Sequence, residues 1–294
     1  MKPSGTFSKL FLGTYYFTIA LRERQPYGIS DGKPFRAQTV LPAAKDDWAA
    51  DPILVDDGDR TWLFYEAVKG QKGRIEVAQV LDGCRLSQPR VLLEDACHYS
   101  YPFVFQADGT WYMIPESSAA QEVRLYRALS FPFRWELQTV LLREKAVDTT
   151  VFARDGAYWL LTFLLDNGSE QVFPRAYTLA DWNAPVLREV PWPDFDPLRV
   201  RGAGPVFVSG HDMLRPAQIS QPQRYGDGLV FYRPRCSDLY TEEPVFQITE
   251  RDLRIEGVFA DGLHTYSSSE RYEAIDVRCR EADPLKAVKR LMRR

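Results

Sequence analysis

Residues 51–66 of the chain read DPILVDDGDRTWLFYE, and the architecture can be predicted from this stretch outward. It predicts a β-hairpin with a short apolar strand, a turn at Gly58 and an aromatic second strand. Glycine suits the turn because it readily adopts the positive φ angle of a tight hairpin. Antiparallel pairing then brings Asp51 and Glu66, the first and last residues of the stretch, to the same end of the hairpin, away from the turn.

The same unit recurs along the rest of the chain. Counting between turn glycines gives spacings of 51, 47, 54 and 52 residues, and these glycines are Gly58, Gly109, Gly156, Gly210 and Gly262. In the fifth and weakest copy, residues 257–259 are the predicted first strand and residues 263–266 the second. A period of about 50 residues with several strands in each repeat is typical of the blades of a β-propeller.

The repeats predict an all-β protein in which residues 1–294 form a single five-bladed β-propeller domain. Each repeat supplies two further strands after its hairpin, so each blade has four. A strand-like stretch at 15–22 has no hairpin of its own, and we expect it to complete the last blade and close the ring. The predicted blades are approximately 49–94, 98–143, 146–191, 199–249 and 253–280, the last completed by 13–22.

Two segments lie between or beyond the repeats. Residues 23–48 are polar and contain Pro and Gly, which predicts a link into the first blade. Residues 283–294 predict a short, basic, amphipathic C-terminal helix, with Asp283 as its N-cap and Pro284 in its first turn. Such a charge run is usually a solvated chain end, and contact with a membrane surface is the alternative.

Composition narrows the class of protein. The 294 residues are 45% hydrophobic, which is enough to bury a large core, and a net charge of −3 gives no electrostatic footprint for nucleic acid. The four cysteines form no Cys-x-x-Cys pair, which favours a reducing compartment, and three histidines argue against a zinc site. Without an apparent secretory signal, we expect a cytoplasmic protein that could contact a membrane peripherally through residues 283–294.

Propeller geometry predicts where the functional residues meet. The first strand of each blade lines the central channel, so the beginnings of these strands and the ends of the second strands meet at one mouth. An Asp before Pro often only caps a turn, but Asp51 and Asp148 take the same place in two blades, which favours a function. The predicted rim contains Asp51, Glu66, Glu116, Asp148, Arg201, Arg215, Gln218 and His264.

The residue types at this mouth suit a sugar or a sugar-phosphate. Carboxylates hydrogen-bond to hydroxyls and can act as acid, base or nucleophile. The planar guanidinium of arginine matches phosphate or carboxylate.

The phrase Ala50-Asp51-Pro52, followed by a glycine turn and an aromatic strand, resembles the first-blade motif of the five-bladed propeller glycosidases. These are the arabinanase and xylosidase group and, more distantly, the invertases and levansucrases. The resemblance implies that Asp51 is a general base or nucleophile and that Asp148 tunes the acid. The glycosidases carry their acid in a Glu-Gly-Pro motif, whereas this chain has Arg201-Gly202-Ala203-Gly204-Pro205, so Glu116 or Glu66 would have to replace it.

A second resemblance covers nearly the whole chain. Residues 100–105, 112–117, 146–150 and 215–218 are similar to a propeller domain found N-terminal to the transferase domain of plant glucosamine inositolphosphorylceramide transferases. The same domain occurs in bacterial proteins, some of them fused to formyltransferase-like domains. His264-Thr265 fits its last blade. This resemblance implies a role in building a glycan or a glycolipid.

The predicted function is glycosyl transfer on an anionic sugar or sugar-phosphate in the central funnel, during glycan, polysaccharide or glycolipid biosynthesis. Two alternatives stay open: a glycoside hydrolase that uses the three carboxylates, and a non-catalytic glycan-binding module. The expected ligand is a carbohydrate, nucleotide-sugar or sugar-phosphate. The predicted catalytic residues are Asp51, Asp148 and Glu116, and the predicted substrate-binding residues are Glu66, Tyr101, Arg201, Arg215, Gln218 and His264.

No cofactor is predicted from the residues. The resemblance to the glycosidases adds one candidate, a calcium ion near the propeller axis. Calcium prefers oxygen ligands, so His264 would order a water molecule around such an ion rather than bind it.

Overall fold

The computed structural model describes residues 12–41, 47–70, 72–166, 172–221 and 224–282. Within these ranges the chain is all-β, with short 3-10 helices and no α-helix. None of the helices in this part of the chain is long and apolar enough to cross a membrane. The predicted C-terminal helix at 283–294, and any membrane contact through it, lie outside the described residues.

Five sheets form the five blades of the propeller. The chain begins with β1 (Leu12–Glu23) and β2 (Phe35–Thr39), and the first blade follows as β3 (Asp47–Asp57), β4 (Arg60–Lys69), β5 (Lys72–Leu81), β6 (Arg85–Leu86) and β7 (Arg90–Leu93). The second blade is β8 (Ser100–Ala107), β9 (Thr110–Glu116), β10 (Val123–Ser130) and β11 (Arg134–Leu142). The third is β12 (Ala146–Arg154), β13 (Ala157–Leu165), β14 (Val172–Leu179) and β15 (Arg188–Val190).

The fourth and fifth blades complete the ring. The fourth consists of β16 (Phe207–Ser209), β17 (Asp212–Gln221), β18 (Arg224–Cys236) and β19 (Tyr240–Thr249). The remaining strands are β20 (Leu253–Glu256), β21 (Ala260–Gly262), β22 (Tyr266–Ser268) and β23 (Tyr272–Ala282). Short 3-10 helices lie at Gly28–Asp31, Asp82–Cys84, Ser118–Ala120 and Glu250–Asp252.

The N-terminal strand closes the last blade, as predicted. β1 pairs antiparallel with β23, from Leu12 opposite Ala282 to Glu23 opposite Tyr272. The segment 23–48 is more than the predicted link, because it contains β2, which pairs with β1 and, in parallel, with β20. Phe35 and Ala37 point into the core of this blade, which explains why a largely polar segment forms an outer strand.

The prediction for the fifth hairpin was wrong. Gly262 ends β21, a strand that pairs with β23, and the turn of this blade instead lies between Ser268 and Tyr272. Glycine is required at 262 for close packing, since a Cβ there would lie 2.1 Å from the carbonyl oxygen of Gly226. The inner edge of the blade is therefore split into β21 and β22, and His264 lies in the break.

A shared irregularity in the first three blades aims side chains at the axis. The inner strands β3, β8 and β12 each change register shortly after they begin. At these bulges Asp51, Tyr101 and Asp148 have φ angles of 52°, 41° and 49°, in the left-handed region that non-glycine residues rarely adopt. A β-bulge re-aims a side chain, and here it turns three equivalent residues of three blades toward the channel.

The hydrophobic core lies between neighbouring blades. Ile114 and Leu125 of the second blade, for example, belong to one buried cluster with Leu160 and Trp182 of the third. The two faces of each sheet are thus covered by the adjacent sheets, which leaves the polar channel at the centre of the ring.

Candidate functional site

A buried array of Asp51, His264 and Asp276 joins the first blade to the last. Nε2 of His264 lies 3.3 Å from Oδ1 of Asp51, and Nδ1 lies 2.8 Å from Oδ2 of Asp276. Asp51 also accepts hydrogen bonds from the Tyr101 amide (3.0 Å) and from the hydroxyl of Thr265 (2.9 Å). The Asp51 side chain is therefore held in one orientation by groups from two other blades, the second and the last.

The array sets the charges of its members. Burial by itself lowers the pKa of His264, but the carboxylates of Asp276 and Asp51 outweigh burial and raise this pKa to about 10. Burial by itself raises the pKa of Asp51, yet the hydrogen bond and positive charge of His264 hold it below its ordinary value of 3.8. At neutral pH His264 is therefore an imidazolium that faces the ionised Asp51 on one side and Asp276 on the other.

The same three residues are close enough together to suggest a metal site, but their donors do not fit one. Both ring nitrogens of His264 face carboxylates, and a protonated imidazole is not a metal ligand. Each carboxylate oxygen already accepts from the protein: Asp276 receives the amides of Asp51 (3.1 Å), His264 (2.9 Å) and Thr265 (2.9 Å). We therefore derive no chemistry through a calcium ion at these residues.

A second cluster lies on the side of the second, third and fourth blades. The guanidinium of Arg201 forms an ion pair with Asp148, and its Nη2 lies 3.7 Å from Oε2 of Glu116. The amide of Gln218 donates to Oδ2 of Asp148 (3.3 Å) and to the carbonyl of Gly202 (2.7 Å). These contacts join three of the sequence-predicted residues to Asp148.

The carboxyl groups of this cluster hold protons more strongly than usual. Burial raises the pKa of Glu116 to about 7, the charge of Asp148 adds to the increase, and Arg201 opposes it. Burial also raises the pKa of Asp148, although Arg201 lowers it. The charge of Asp51 raises the pKa of both groups, so the two clusters are electrostatically coupled.

Glu66 forms a third part of the funnel with His98, a residue that the sequence did not single out. Oε1 of Glu66 lies 2.9 Å from Nε2 of His98. Burial raises the pKa of Glu66 to about 7; the His98 hydrogen bond lowers it and the charge of Asp51 raises it. Glu66 is therefore electrostatically coupled to the Asp51 array.

Tyr225 links the two clusters and was also missed. Its ring centroid is 4.9 Å from that of His264, and Cζ of Arg201 lies 5.2 Å from the ring centroid. The side chain of Arg278 fixes the backbone here by donating to the carbonyl of Tyr225. A half-buried tyrosine beside charged residues is visible in the sequence only as one aromatic residue in a strand, which gives no signal of its role.

The position of Asp276 in the sequence is unusual, although it does not belong to the predicted rim. It lies in β23 between Ile275 and Val277, both fully buried, and its own side chain is fully buried. A carboxylate in a buried strand requires hydrogen-bond donors or a positive partner, which marks the position as unusual.

Two predicted site residues lie elsewhere. The Arg215 side chain is buried between the third and fourth blades, where it pairs with Glu242 at 2.8 and 2.6 Å and donates to the carbonyl of Val200 (3.1 Å). Its predicted role in binding an anion is corrected, because the guanidinium is buried and its donors are engaged. The pattern of β17 explains the error: Arg215 and Gln218 are three residues apart and so face opposite sides.

Tyr101 is the second correction. Its side chain is fully buried, its hydroxyl is 2.8 Å from Oγ1 of Thr150, and that hydroxyl accepts a hydrogen bond from the Gly204 amide (2.8 Å). These contacts tie three blades together beneath the mouth. Tyr101 therefore supports the floor of the funnel instead of contacting a ligand.

Comparison with known protein families gives a match over most of the chain. The family model described as glucosamine inositolphosphorylceramide transferase 1, N-terminal, matches residues 37–278. The curated protein of that name from Oryza sativa subsp. japonica is 32% identical over 210 residues, which cover 68% of this chain and 28% of that protein. The one from Arabidopsis thaliana is 38% identical over 118 residues, or 39% of this chain and 15% of that protein. The aligned region thus spans under a third of these relatives.

Solved structures resemble the chain in fold. A β-1,2-mannobiose phosphorylase from Listeria innocua has a TM-score of 0.54 at 12% identity, with 87% of this chain and 96% of that chain covered. An α-L-arabinanase from Cellvibrio cellulosa has a TM-score of 0.51 at 10% identity, with 82% of this chain and 96% of that chain covered. At such low identity these similarities support the propeller fold and carry nothing about individual site residues.

Proposed function

The chain belongs to the family of the N-terminal domain of glucosamine inositolphosphorylceramide transferase 1, and from this premise we propose that its central funnel binds a carbohydrate and transfers a glycosyl group. One observation carries the proposal. The funnel combines an ionised carboxylate, Asp51, with a carboxyl group, Glu116, whose pKa is about 7. Two carboxyl groups whose environments drive their pKa values apart are the usual arrangement for paired base and acid catalysis.

Asp51 is the proposed base. It takes the proton from an acceptor hydroxyl as the oxygen attacks the sugar carbon, or attacks that carbon itself in a covalent route. His264 and Asp276 hold Asp51 ionised and fix its orientation. Glu116 gives a proton to the departing oxygen, so that one proton is taken up and one is released in each transfer.

Asp148 and Arg201 have supporting roles in this proposal. Arg201 compensates the charge of Asp148, so that the pair adds little net charge beside the reacting sugar. Burial and, after it, the charge of Asp148 raise the pKa of Glu116 to about 7, so that about half of the proposed acid carries its proton at neutral pH. The amide of Gln218 fixes the Asp148 carboxylate from the other side.

The predicted preference for an anionic ligand now rests on Arg201 alone. Arg215 is engaged with Glu242, and Arg201 is already paired with Asp148. A phosphate group would therefore compete with Asp148 for the guanidinium, whereas sugar hydroxyls can use the carboxylates directly. The geometry supports a hydroxyl-rich sugar unit at the centre of the funnel, with any phosphate at its Arg201 side.

A non-catalytic glycan-binding module is the second candidate, and one observation favours it. Asp51 is only 5% exposed, and its oxygens already accept from Tyr101, Thr265 and His264. Little of its acceptor capacity is left for a reacting hydroxyl.

Hydrolysis would use the same carboxylates with water as the acceptor, and differs from transfer only in the product.

The test combines a ligand screen with one substitution. Nucleotide sugars, sugar phosphates and neutral oligosaccharides are screened by calorimetry for binding and by mass spectrometry for transfer or hydrolysis products. Asp51→Asn should abolish product formation while the folded state persists, because it removes the base at nearly constant volume. The control is Asp108→Asn, a change at an exposed turn residue. Full activity of Asp51→Asn, or binding without product in the unchanged protein, would make the binding module the better description.

A further inference from the structure

Four aromatic rings from three blades meet at the mouth of the funnel. The ring centroid of Phe17 in β1 is 6.2 Å from that of Tyr15 in the same strand. It is 5.9 Å from that of Trp48 in β3 and 6.4 Å from that of Tyr225 in β18. We refer to these four side chains as the aromatic wall.

The aromatic wall begins at the Asp51 array. The ring of Phe17 is 4.4 Å, centroid to centroid, from the imidazole of His264, and the ring of Tyr225 packs against the same imidazole at 4.9 Å. Gly226 allows this packing, because a Cβ there would lie 3.3 Å from Cβ of His264 and 3.6 Å from Cζ of Phe17. The innermost part of the wall is therefore in contact with the histidine that orients Asp51.

The Trp48 ring crosses the inner edge of the first blade. Residues directly opposite each other on antiparallel strands project to the same side of the sheet, and so do residues two apart in one strand. Trp48 is opposite Val68, on the same side as Glu66, and Glu66 contacts His98, which precedes the second blade. The Trp48 side chain thus leaves β3 on the side of the second blade, yet its ring reaches Phe17 of the last blade. Because β3 is the innermost strand of its sheet, the ring passes over the channel side of the blade.

The outer rings of the wall are accessible from the mouth. Tyr15 is 52% exposed, and Trp48 and Tyr225 are half-buried. Tyr15 and the buried Phe17 are two residues apart on one side of β1, so Tyr15 is about 7 Å nearer the mouth. Trp48 precedes Asp51 by three residues and is about 10 Å nearer the mouth. The accessible part of the wall therefore lies further out than Asp51, along the path by which a ligand enters.

Charged groups flank the wall at the mouth. Asp47 directly precedes Trp48 and is opposite Lys69, and the side chains of Asp47 and Lys69 are both exposed. A sugar presents C–H groups on the faces of its ring and hydroxyl groups at its edge. The C–H groups pack against aromatic rings, and the hydroxyls hydrogen-bond to carboxylate and ammonium groups. Apolar ring surface beside a few polar groups is the usual lining of a small-molecule site.

The shape of the wall favours a sugar over a flat nucleobase. The ring of Phe17 is inclined by 48° to that of Trp48 and by 76° to that of Tyr225. Its inclination to the ring of Tyr15 is 85°. The rings thus form an angular surface, which fits the puckered ring of a sugar better than a flat base that stacks on a parallel ring.

The charge around the wall favours a neutral ligand. His264 and Arg201 contact the wall as cations, and both are paired with carboxylates. A phosphate group would have to displace these carboxylates, whereas a hydroxyl can donate to them. The ligand class that fits the wall is therefore an uncharged sugar unit.

We propose that the aromatic wall is a second carbohydrate subsite, which packs against the sugar unit of a neutral oligosaccharide that follows the unit at Asp51. Trp48 is its principal contact, because its ring lies on the channel side, and Tyr15 extends the contact toward the mouth. The inference rests on the proposed function only for the position of the first sugar unit. Binding at the wall is measured without turnover, so a failure of the subsite and a failure of glycosyl transfer give different results.

The experiment is fluorine nuclear magnetic resonance of the full chain labelled with 5-fluorotryptophan. The chain has seven tryptophans, and the Trp48 signal is identified by its loss in Trp48→Phe. The probes are glucose, galactose, mannose and xylose, together with the β-linked disaccharides and trisaccharides of each. We expect an oligosaccharide among them to shift the Trp48 signal and to bind about tenfold more tightly than its monosaccharide. Trp48→Ala should remove this advantage and leave monosaccharide binding within about twofold.

Matched variants separate the subsite from general structure. Trp48→Phe keeps an aromatic ring and should retain most of the oligosaccharide affinity. Tyr15→Ala should weaken oligosaccharide binding by about threefold. Tyr27→Ala, at a 67% exposed tyrosine beyond the far end of β1, should leave it unchanged. Unchanged signals from the remaining tryptophans show that each variant is folded.

Three results would overturn the subsite: oligosaccharide binding that Trp48→Ala does not affect, a Trp48 signal that no saccharide shifts, or a larger shift with uridine or adenosine than with any saccharide. Binding at Trp48 without product supports the subsite and contradicts the proposed transfer. Turnover of an oligosaccharide that Trp48→Ala does not affect supports the transfer and contradicts the subsite.

Discussion

Replacing His264 by glutamine should remove a pH-dependent part of the stability of this protein. His264 is 4% exposed and lies between Asp51 and Asp276 at 3.3 and 2.8 Å. Glutamine preserves much of the side-chain volume and can still donate one hydrogen bond, but it carries no charge. The two buried carboxylates are then left without their shared cation.

The magnitude follows from the pKa of His264 in the folded chain. That pKa is about 10, compared with 6.5 for an unperturbed histidine. A raised pKa contributes stability that is fully present below pH 6.5 and is lost as the pH rises to about 10. The loss is about 1.4 kcal/mol per pH unit, so the full contribution is about 4–5 kcal/mol. This agrees with the cost of about 3–5 kcal/mol for breaking a buried ion pair.

The assay is urea unfolding of the unchanged protein and of His264→Gln at several pH values. The free energies of unfolding should differ by about 4 kcal/mol near pH 6, and the difference should shrink by about 1.4 kcal/mol per pH unit above pH 6.5. His211→Gln is the matched control, because His211 is exposed. It should change the free energy of unfolding by no more than about 0.5 kcal/mol at any pH.

Two results would refute this account of His264. A difference that stays constant between about pH 6 and about pH 10 would mean that glutamine acts through packing alone, with no proton held by His264. A difference that grows with pH would mean that the histidine is neutral in the folded chain and that its pKa is lowered by burial.

Two further predictions concern residues that support the funnel from below and from the side. Arg215→Met should lower the free energy of unfolding, measured in urea, by about 3–5 kcal/mol, because it leaves Glu242 buried without its cation. Adding Glu242→Leu should recover most of this loss. If Arg215→Met instead leaves the stability unchanged and weakens ligand binding, Arg215 contacts the ligand as first predicted. Tyr101→Phe should lower the free energy of unfolding, measured by heat or urea, by about 1–3 kcal/mol, because the Gly204 amide and the Thr150 hydroxyl each lose a hydrogen-bond partner. Unchanged stability together with altered ligand binding would contradict the structural role of Tyr101.

Much of the architecture followed from local sequence. The turn glycines Gly58, Gly109, Gly156 and Gly210 all have positive φ angles, between 58° and 78°, as a tight hairpin requires. Gly262 was predicted to be a hairpin turn by the same rule, but glycine is needed there because another backbone approaches closely. A sequence does not distinguish these two reasons for a glycine, because only the first is a property of the segment itself.

The site divides in the same way. Asp51 and Asp148 could be identified because a repeat places equivalent residues at equivalent points of the blades. Arg201 could be identified because it occupies the position at which the propeller glycosidases carry their acid. Asp276 lies 225 residues from Asp51 and His98 lies 32 residues from Glu66 along the chain, yet each pair is in direct contact. No periodicity relates such pairs.

The number of blades, the first four hairpins and the strand that closes the ring follow from the sequence, since hydrophobic alternation and turn residues act over a few positions. The folding of the ring determines which charges meet. It buried Arg215 against Glu242, enclosed the Tyr101 hydroxyl, and placed His264 between two carboxylates. Protonation in this funnel depends on burial and on neighbours from other blades, and both exist only once the ring is closed.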